Sequence, residues 1–189
     1  ILDHVKFPCI VQPKIDGVRA LNLRGTLTGR SLKPFEGFGI TERFSGDQYL
    51  GLDGEMILGS KPNCTDRLCS LTTGAMGRFN GVDKMADLQW NVFDLVLSVT
   101  EKLPYIERYR QLTRRVAMLQ DERITLVPMY VVDNAKHLEH NISEFFAAGY
   151  EGTIIRNPDA PYKSGRATQK GQELWRVKPW ADAETLVTG

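Results

Sequence analysis

Long apolar runs are missing from the 189 residues, and nothing reaches the about 18 consecutive apolar positions that a membrane-spanning helix needs. Cysteine is scarce: Cys9, Cys64 and Cys69 are odd in number and form no C-x-x-C. That pattern suggests neither a disulfide framework nor a zinc site and reads as free thiols of a reduced compartment. The opening residues Ile1-Leu2-Asp3-His4-Val5-Lys6 lack the basic-then-apolar layout of a secretion signal, so the chain reads as intracellular or as an excised fragment. Repeats, low-complexity tracts and Ser/Gly linkers are also absent, which points to one continuous domain. An excess of one charge is lacking, with 24 Lys+Arg against 23 Asp+Glu, and this argues against a protein that coats nucleic acid indiscriminately. At 42% apolar residues the chain is long enough to bury its own core without a covalent or metal staple.

The charge that is present is unevenly placed. Residues 6–33 carry Lys6, Lys14, Arg19, Arg24, Arg30 and Lys33 against Asp16 alone, and residues 160–180 carry Lys163, Arg166, Lys170, Arg176 and Lys178 against Glu173 alone. Two basic segments imply a polyanionic partner. Short β-rich runs fill the first hundred residues, at 9–11, 20–23, 50–58 and 90–97, punctuated by Gly25, Gly29, Gly37, Gly39, Gly46 and Gly81 as turns. Pro104 opens a helix whose apolar stripe is Ile106, Tyr109, Leu112, Val116 and Leu119 and which ends near Gln120. One strand is expected over 124–132. A second helix follows, carrying Leu138, Ile142, Phe145 and Phe146 and stopped by Gly149 in a left-handed cap, and then strands at 152–156 and 174–177. Strands with inserted helices and no regular βαβ alternation predict an α+β domain on antiparallel sheets.

Lys14-Ile15-Asp16-Gly17-Val18-Arg19 is the sharpest local feature, set after an apolar run and the rigid Gln12-Pro13 step. A lysine amine is nucleophilic only when deprotonated, and neighbouring cations such as Arg19 disfavour its charged form. Asp16 is suited to hold a metal or orient the amine, and Gly17 allows a tight turn. Four further segments place charged residues at strand ends: 29–34, 53–55, 151–156 and 174–178. In the last, Arg176 and Lys178 fall two apart and share one strand face, where they can clamp a phosphate, while Trp175 and Val177 take the other. Glu55 and Glu151 each stand beside a glycine, which lets a carboxylate approach a sugar hydroxyl or a divalent cation.

These segments, in this order, resemble the ATP-dependent DNA ligases of the covalent nucleotidyltransferase superfamily, in particular their small viral branch. Lys14-Ile15-Asp16-Gly17-Val18-Arg19 is similar to motif I, Arg30-Ser31-Leu32-Lys33-Pro34 to motif Ia, Leu52-Asp53-Gly54-Glu55 to motif III, Val92-Phe93-Asp94 to motif IIIa, Glu151-Gly152-Thr153-Ile154-Ile155-Arg156 to motif IV and Leu174-Trp175-Arg176-Val177-Lys178 to motif V. The resemblance spans the chain. It implies an α+β nucleotidyltransferase (ATP-grasp-like) adenylation domain of two antiparallel sheets with flanking helices over residues 1–189. It also implies a monomer with no membrane association, acting on nicked duplex DNA.

The implied chemistry is lysine–AMP formation on Lys14 from ATP, AMP transfer to the 5′-phosphate of a nick, and sealing by the 3′-hydroxyl. By motif position Gln12 would lie at the adenine edge, Phe93 would stack on one adenine face and Ile154 would cover the other, and Arg19 and Glu55 would address the ribose. Arg176 and Lys178 would contact the α-phosphate, Asp16 and Glu151 would hold Mg²⁺ or Mn²⁺, and Arg30 and Lys33 would grip the nick phosphate. Motif V usually begins with lysine, and here Arg176 replaces a point charge with a planar fork. The family's C-terminal OB-fold domain, with its R-x-D-K motif, has no counterpart before Gly189. Slow self-adenylation with better-retained sealing of a pre-adenylated nick is therefore expected. RNA ligases and messenger RNA capping guanylyltransferases share the motif skeleton, and a non-catalytic nucleotide- or DNA-binding module is the alternative of another class.

Overall fold

The computed structural model describes residues 4–35, 39–63, 68–76, 87–165, 167 and 171–178. Gly37, Gly81, Cys64, Arg166 and Lys170 lie outside the described residues. Nine strands form two sheets among the described residues. The first contains β1 (Cys9–Lys14), β7 (Tyr130–Val132), β8 (Gly152–Arg156) and β9 (Leu174–Val177) in the order β7-β1-β8-β9, every pair antiparallel. The second contains β2 (Val18–Leu23), β3 (Thr26–Thr28), β4 (Leu52–Leu58), β5 (Leu88–Leu95) and β6 (Ile124–Leu126) in the order β3-β2-β4-β5-β6. Helices α1 (Ile40–Arg43), α2 (Leu68–Ala75), α3 (Tyr105–Leu119) and α4 (Ala135–Ala147) flank them. None of the described helices is long and apolar enough to cross a membrane.

Two expectations need correction. The second sheet is not wholly antiparallel, because β6 runs parallel to β5, with Trp90 opposite Ile124 and Val92 opposite Leu126. The intervening helix α3 carries the chain back to the same end of the sheet, which is what a parallel neighbour requires. Nor is 124–132 one strand. Its first part joins the second sheet and its last part the first, and Pro128, which has no N–H to give a ladder, lies in the crossing between them.

β1 is apolar on both faces because it is covered on both. Ile10 packs with the core of the second sheet, beside Leu52, Met56, Trp90 and Leu112, while Cys9 and Val11 pack with Val132, Leu138, Ile155 and Trp175. Each such fully buried aliphatic side chain contributes about 1.5–3 kcal/mol. A third cluster of Ile15, Ile57, Leu68 and Val127 joins the sheets, with Phe93 and Tyr150 packed on it. The strand that ends at Lys14 is thereby held from both sides. On α4 the Asn134 side chain caps the first turn by accepting from the His137 amide at 3.0 Å, and Gly149 follows its end at φ 91° as expected.

Candidate functional site

Lys14 is the last residue of β1 and opposes Gly152 of β8, so the strand register alone brings it beside Glu151. Lys14 Nζ donates to Glu151 Oε2, and Lys178, just past β9, pairs with Oε1 of the same carboxylate. The Glu151 amide also donates to the Lys14 carbonyl at 3.1 Å. Burial pushes the Glu151 carboxyl up, but hydrogen bonds from the two lysines outweigh it and hold the group below the ordinary glutamate value. Beyond Lys14 the chain turns against β4: a Cβ on Gly17 would stand 2.3 Å from the Met56 carbonyl oxygen, so this step of the turn admits only glycine.

Across from Lys14 the second sheet supplies Arg19, Glu55 and Phe93. Arg19 on β2 and Glu55 on β4 are cross-strand partners. Burial drives the Glu55 carboxyl up to about 7, against the opposing pull of the Arg19 and Lys14 charges. Arg19 donates through Nε and Nη2 to the two oxygens of Asp53, to which Tyr162 Oη also donates at 3.0 Å. Burial disfavours the Arg19 charge, yet the Asp53 carboxylate more than offsets it and raises its pKa; Asp53, fully buried, is itself raised by desolvation. The Arg19 guanidinium stands 4.7 Å from the centre of the Phe93 ring.

Behind Phe93 lies a buried polar network. Asp94 directly opposes Asp53 across β4 and β5, an arrangement that costs stability unless each carboxylate has its own cation. Arg108 on α3 supplies one, donating from Nε at 2.8 Å and Nη2 at 3.1 Å to the two Asp94 oxygens and from Nη1 to the Ala160 carbonyl at 3.0 Å. Arg156 of β8 reaches the same carboxylate at 3.7 Å, and its guanidinium lies 5.3 Å from the Phe93 ring centre and 4.5 Å from that of Tyr105. Its Nε donates to Gln12 Oε1 at 3.0 Å. Tyr105 Oη is placed to donate to Gln12 Oε1 at 2.8 Å and to the Phe93 carbonyl at 2.9 Å, and burial raises this hydroxyl far above the ordinary tyrosine pKa. Gln12 is 1% exposed.

The remaining expected residues fall around these groups. Ile154 opposes Gln12 on one side and Arg176 on the other within the first sheet. Arg176 is exposed while Trp175 is buried, as the two-residue period requires. An open cleft of about 770 Å³ is lined by Gly17, Arg19, Arg30, Ser31, Glu55 and Cys69 among others, and so brings motif I, motif Ia and motif III residues together. Lys33 lies exposed in the same turn as Arg30, and that turn is closed by a bond from the Gly29 amide to the Lys33 carbonyl. Arg176, Arg19, Arg156 and Tyr105 line a second, small cavity of about 60 Å³. Among the described residues no group of three or more His, Cys, Asp or Glu side chains is set to hold a metal ion. Asp16 and Glu151 are half-buried carboxylates of the kind a hard cation takes as one or two protein oxygens beside water and phosphate, and Glu151 would have to give up a lysine to serve.

Tyr105, Arg108 and Tyr162 carry no role in the sequence reading, and Arg156 enters it only as the last residue of motif IV. One signal was available: Arg108 falls on the buried face of α3 with Tyr105, Tyr109 and Leu112, and a cation on an apolar stripe calls for a buried partner.

The ATP dependent DNA ligase domain model matches residues 1–178. The DNA ligase of African swine fever virus (strain Badajoz 1971 Vero-adapted) is 28% identical over 192 residues, covering 94% of this chain and 43% of that protein. That of Haloferax volcanii is 30% identical over 121 residues, 59% of this chain and 19% of the relative. The chain thus spans less than half the length of these relatives. Among solved structures, Chlorella virus DNA ligase-adenylate superposes with a TM-score of 0.75 at 24% identity over 97% of this chain and 67% of that one. The bacteriophage T7 ATP-dependent DNA ligase in complex with ATP gives 0.68 at 16% identity over 94% and 64%. With its two-sheet fold shared by these structures, the chain belongs to the ATP-dependent DNA ligase domain family.

Proposed function

We propose that this chain is the nucleotidyltransferase domain of an enzyme that seals nicked duplex DNA at the expense of ATP. The carrying observation is Lys14 at a strand end, paired with Glu151 and facing Arg19, Glu55 and Phe93 across the gap between the sheets. Lys14, once parted from Glu151 and relieved of its ammonium proton to solvent, attacks the α-phosphorus of ATP; the P–O bond to pyrophosphate breaks, the nitrogen loses a second proton to solvent or pyrophosphate, and a phosphoramidate with AMP forms. The 5′-phosphate oxygen of the nick then displaces Lys14, and attack by the 3′-hydroxyl joins the strands and releases AMP. Little covalent chemistry is left to other side chains, so positioning and charge carry the rate.

Phe93 and Ile154 enclose the adenine, and Arg19 with Glu55 addresses the ribose. Near neutral pH Glu55 exists in both protonation forms and can accept from or donate to a sugar hydroxyl. Lys178 and Arg176 bind the α-phosphate, Lys178 by exchanging Glu151 for a phosphate oxygen. Asp16 and Glu151 would hold a divalent cation, which neutralises phosphate charge when bound. Arg30 and Lys33 hold the nick phosphate, and such backbone contacts carry little sequence preference. An OB-fold domain in the complete polypeptide is part of this proposal, supported by relatives of which this chain covers 43%.

The test is the intact mass of the complete polypeptide after incubation with Mg²⁺ and ATP, GTP or NAD⁺ separately, with Lys14→Ala as control. A Lys14-dependent gain of one AMP from ATP, with sealing of nicked DNA in preference to nicked RNA, is expected. A GMP adduct would replace this reading with guanylyl transfer, and nick binding without any adduct would replace it with a binding module.

A further inference from the structure

We propose that Tyr105 and Gln12 are positioning residues for the nucleotide: the Tyr105 hydroxyl, shared between the Gln12 amide and the Phe93 carbonyl, sets the gap between the nucleophile strand and the base-stacking strand. The inference rests on the ligase reading above for the identity of the nucleotide. Its basis is geometric. Gln12 stands two residues before Lys14 on β1, in the first sheet; Phe93 stands on β5, in the second. A single side chain from α3 bridges them, at 2.8 Å to one and 2.9 Å to the other. A hydroxyl has one hydrogen, so it serves both acceptors by sharing or alternation, and neither strand can withdraw without losing a buried hydrogen bond.

Gln12 has no lone pair of its side-chain oxygen left for a base edge. Its Oε1 accepts from Tyr105 and from Arg156, its Nε2 points to the Val127 carbonyl at 3.5 Å, and the residue is 1% exposed. Motif position assigns Gln12 to the adenine edge, whereas its surroundings make it the socket that receives Tyr105. The rest of the brace is equally enclosed. Tyr105 is 1% exposed, and Arg108, one turn further along α3, is 2% exposed and fixes the Asp94 carboxylate immediately after Phe93. Arg156 lies between the Tyr105 and Phe93 rings. A stacking platform fixed in this way spends none of the nucleotide's binding energy on ordering.

The experiment uses the complete polypeptide with Tyr105→Phe, Gln12→Leu and the double variant. Each is also made in a Lys14→Ala background, where ATP affinity is read by calorimetry without a covalent step. Tyr105→Phe keeps the ring and removes only the hydroxyl, and is expected to weaken ATP binding about fivefold, the equivalent of one buried neutral hydrogen bond. The ATP concentration for half-maximal lysine adenylation should rise by the same factor, with the maximal rate changed less. Gln12→Leu, which also takes the acceptor from Arg156 Nε, should weaken binding at least as much, the double variant should be no worse than Gln12→Leu alone, and preference for ATP over GTP should be unchanged in all three. A structural hydroxyl alone would lower the melting temperature and leave ATP affinity at 25 °C where it was.

Wild-type ATP affinity in Tyr105→Phe overturns the proposal, as does a change of base preference in Gln12→Leu, which would make Gln12 a reader of the base. If Gln12→Leu does not fold, Tyr105→Phe decides alone. A wild-type protein that forms no adduct, yet binds ATP more weakly once Tyr105 is Phe, would fault the ligase reading and uphold this one.

Discussion

Lys14 and Glu151 keep 19% and 18% of their side-chain exposure and Lys178 keeps 57%, whereas Arg108 and Asp94 keep 2% and 1%. Both clusters are cation–carboxylate sets within one site, yet water reaches only the first. Pairs that solvent reaches are weak and can exchange partners, while a pair sealed from water cannot be broken without stranding a charge. The site is thus divided between groups that must let go during a reaction and groups that must not. In the proposed reaction Lys14, Glu151 and Lys178 hold one another until phosphate arrives. Asp94, Arg108, Arg156, Gln12 and Tyr105 hold the walls.

The largest effect should come from the exchangeable side. Lys14→Ala removes the proposed nucleophile and should reduce nucleotide adduct formation below detection by intact mass, with the melting temperature moved little. Residual Lys14-independent adduct would show that another residue carries the chemistry. The sealed side should answer in the opposite measurement. Arg108→Met leaves Asp94, opposite Asp53, with only the longer contact to Arg156 and should lower unfolding stability in urea by about 3 kcal/mol. A loss under about 1 kcal/mol, the range of exposed pairs, would erase the distinction between the two clusters.

Glu55 lies between the extremes and sharpens the comparison through pH. Its carboxyl is raised from 4.5 to about 7 by burial, so between those values the folded state binds more protons than the unfolded one. Stability from this group is therefore present at low pH and declines as pH rises through about 4.5 to 7, then levels off. Glu55→Gln should remove that decline, about 2 kcal/mol after discounting for solvent screening, as read from urea midpoints at pH 5 and 8. Identical pH slopes in the two proteins would mean that Glu55 is as well solvated as a surface glutamate. The smallest effect belongs to α3 itself. Arg110 and Glu107 pair on its exposed face, with 62% and 45% of their side-chain surface free, and Arg110→Ala should cost about 0.2–0.5 kcal/mol, within a turn of the costly Arg108.

Much of this was legible beforehand because the motif residues sit at strand ends, where short apolar runs and glycines betray them. The strands at 152–156 and 174–177 match their expected bounds, and Trp175 and Val177 pack inward as the period of two requires. The brace was not legible. Periodicity drew the α3 stripe through Ile106, Tyr109 and Leu112, but the fully buried set is Tyr105, Arg108, Tyr109 and Leu112. An apolarity scale ranks Arg108 as surface, and only its contact with Asp94 reverses that. The exchange of sheets between Leu126 and Tyr130 was hidden likewise, since a run of β-forming residues says nothing about which sheet each half joins.

The partners of β1 have a consequence for how the molecule is made. Cys9–Lys14 precedes both of its neighbours, Tyr130–Val132 and Gly152–Arg156, by more than a hundred residues. Strands β2 to β5 find one another first, as neighbours in translation order. Strand β1 stays without its sheet neighbours until that later chain has been made, an apolar segment in search of a sheet. The register that seats Lys14 beside Glu151 can form only once β8 has been made, and a chain stopped before residue 152 would hold every strand of the second sheet without that pair.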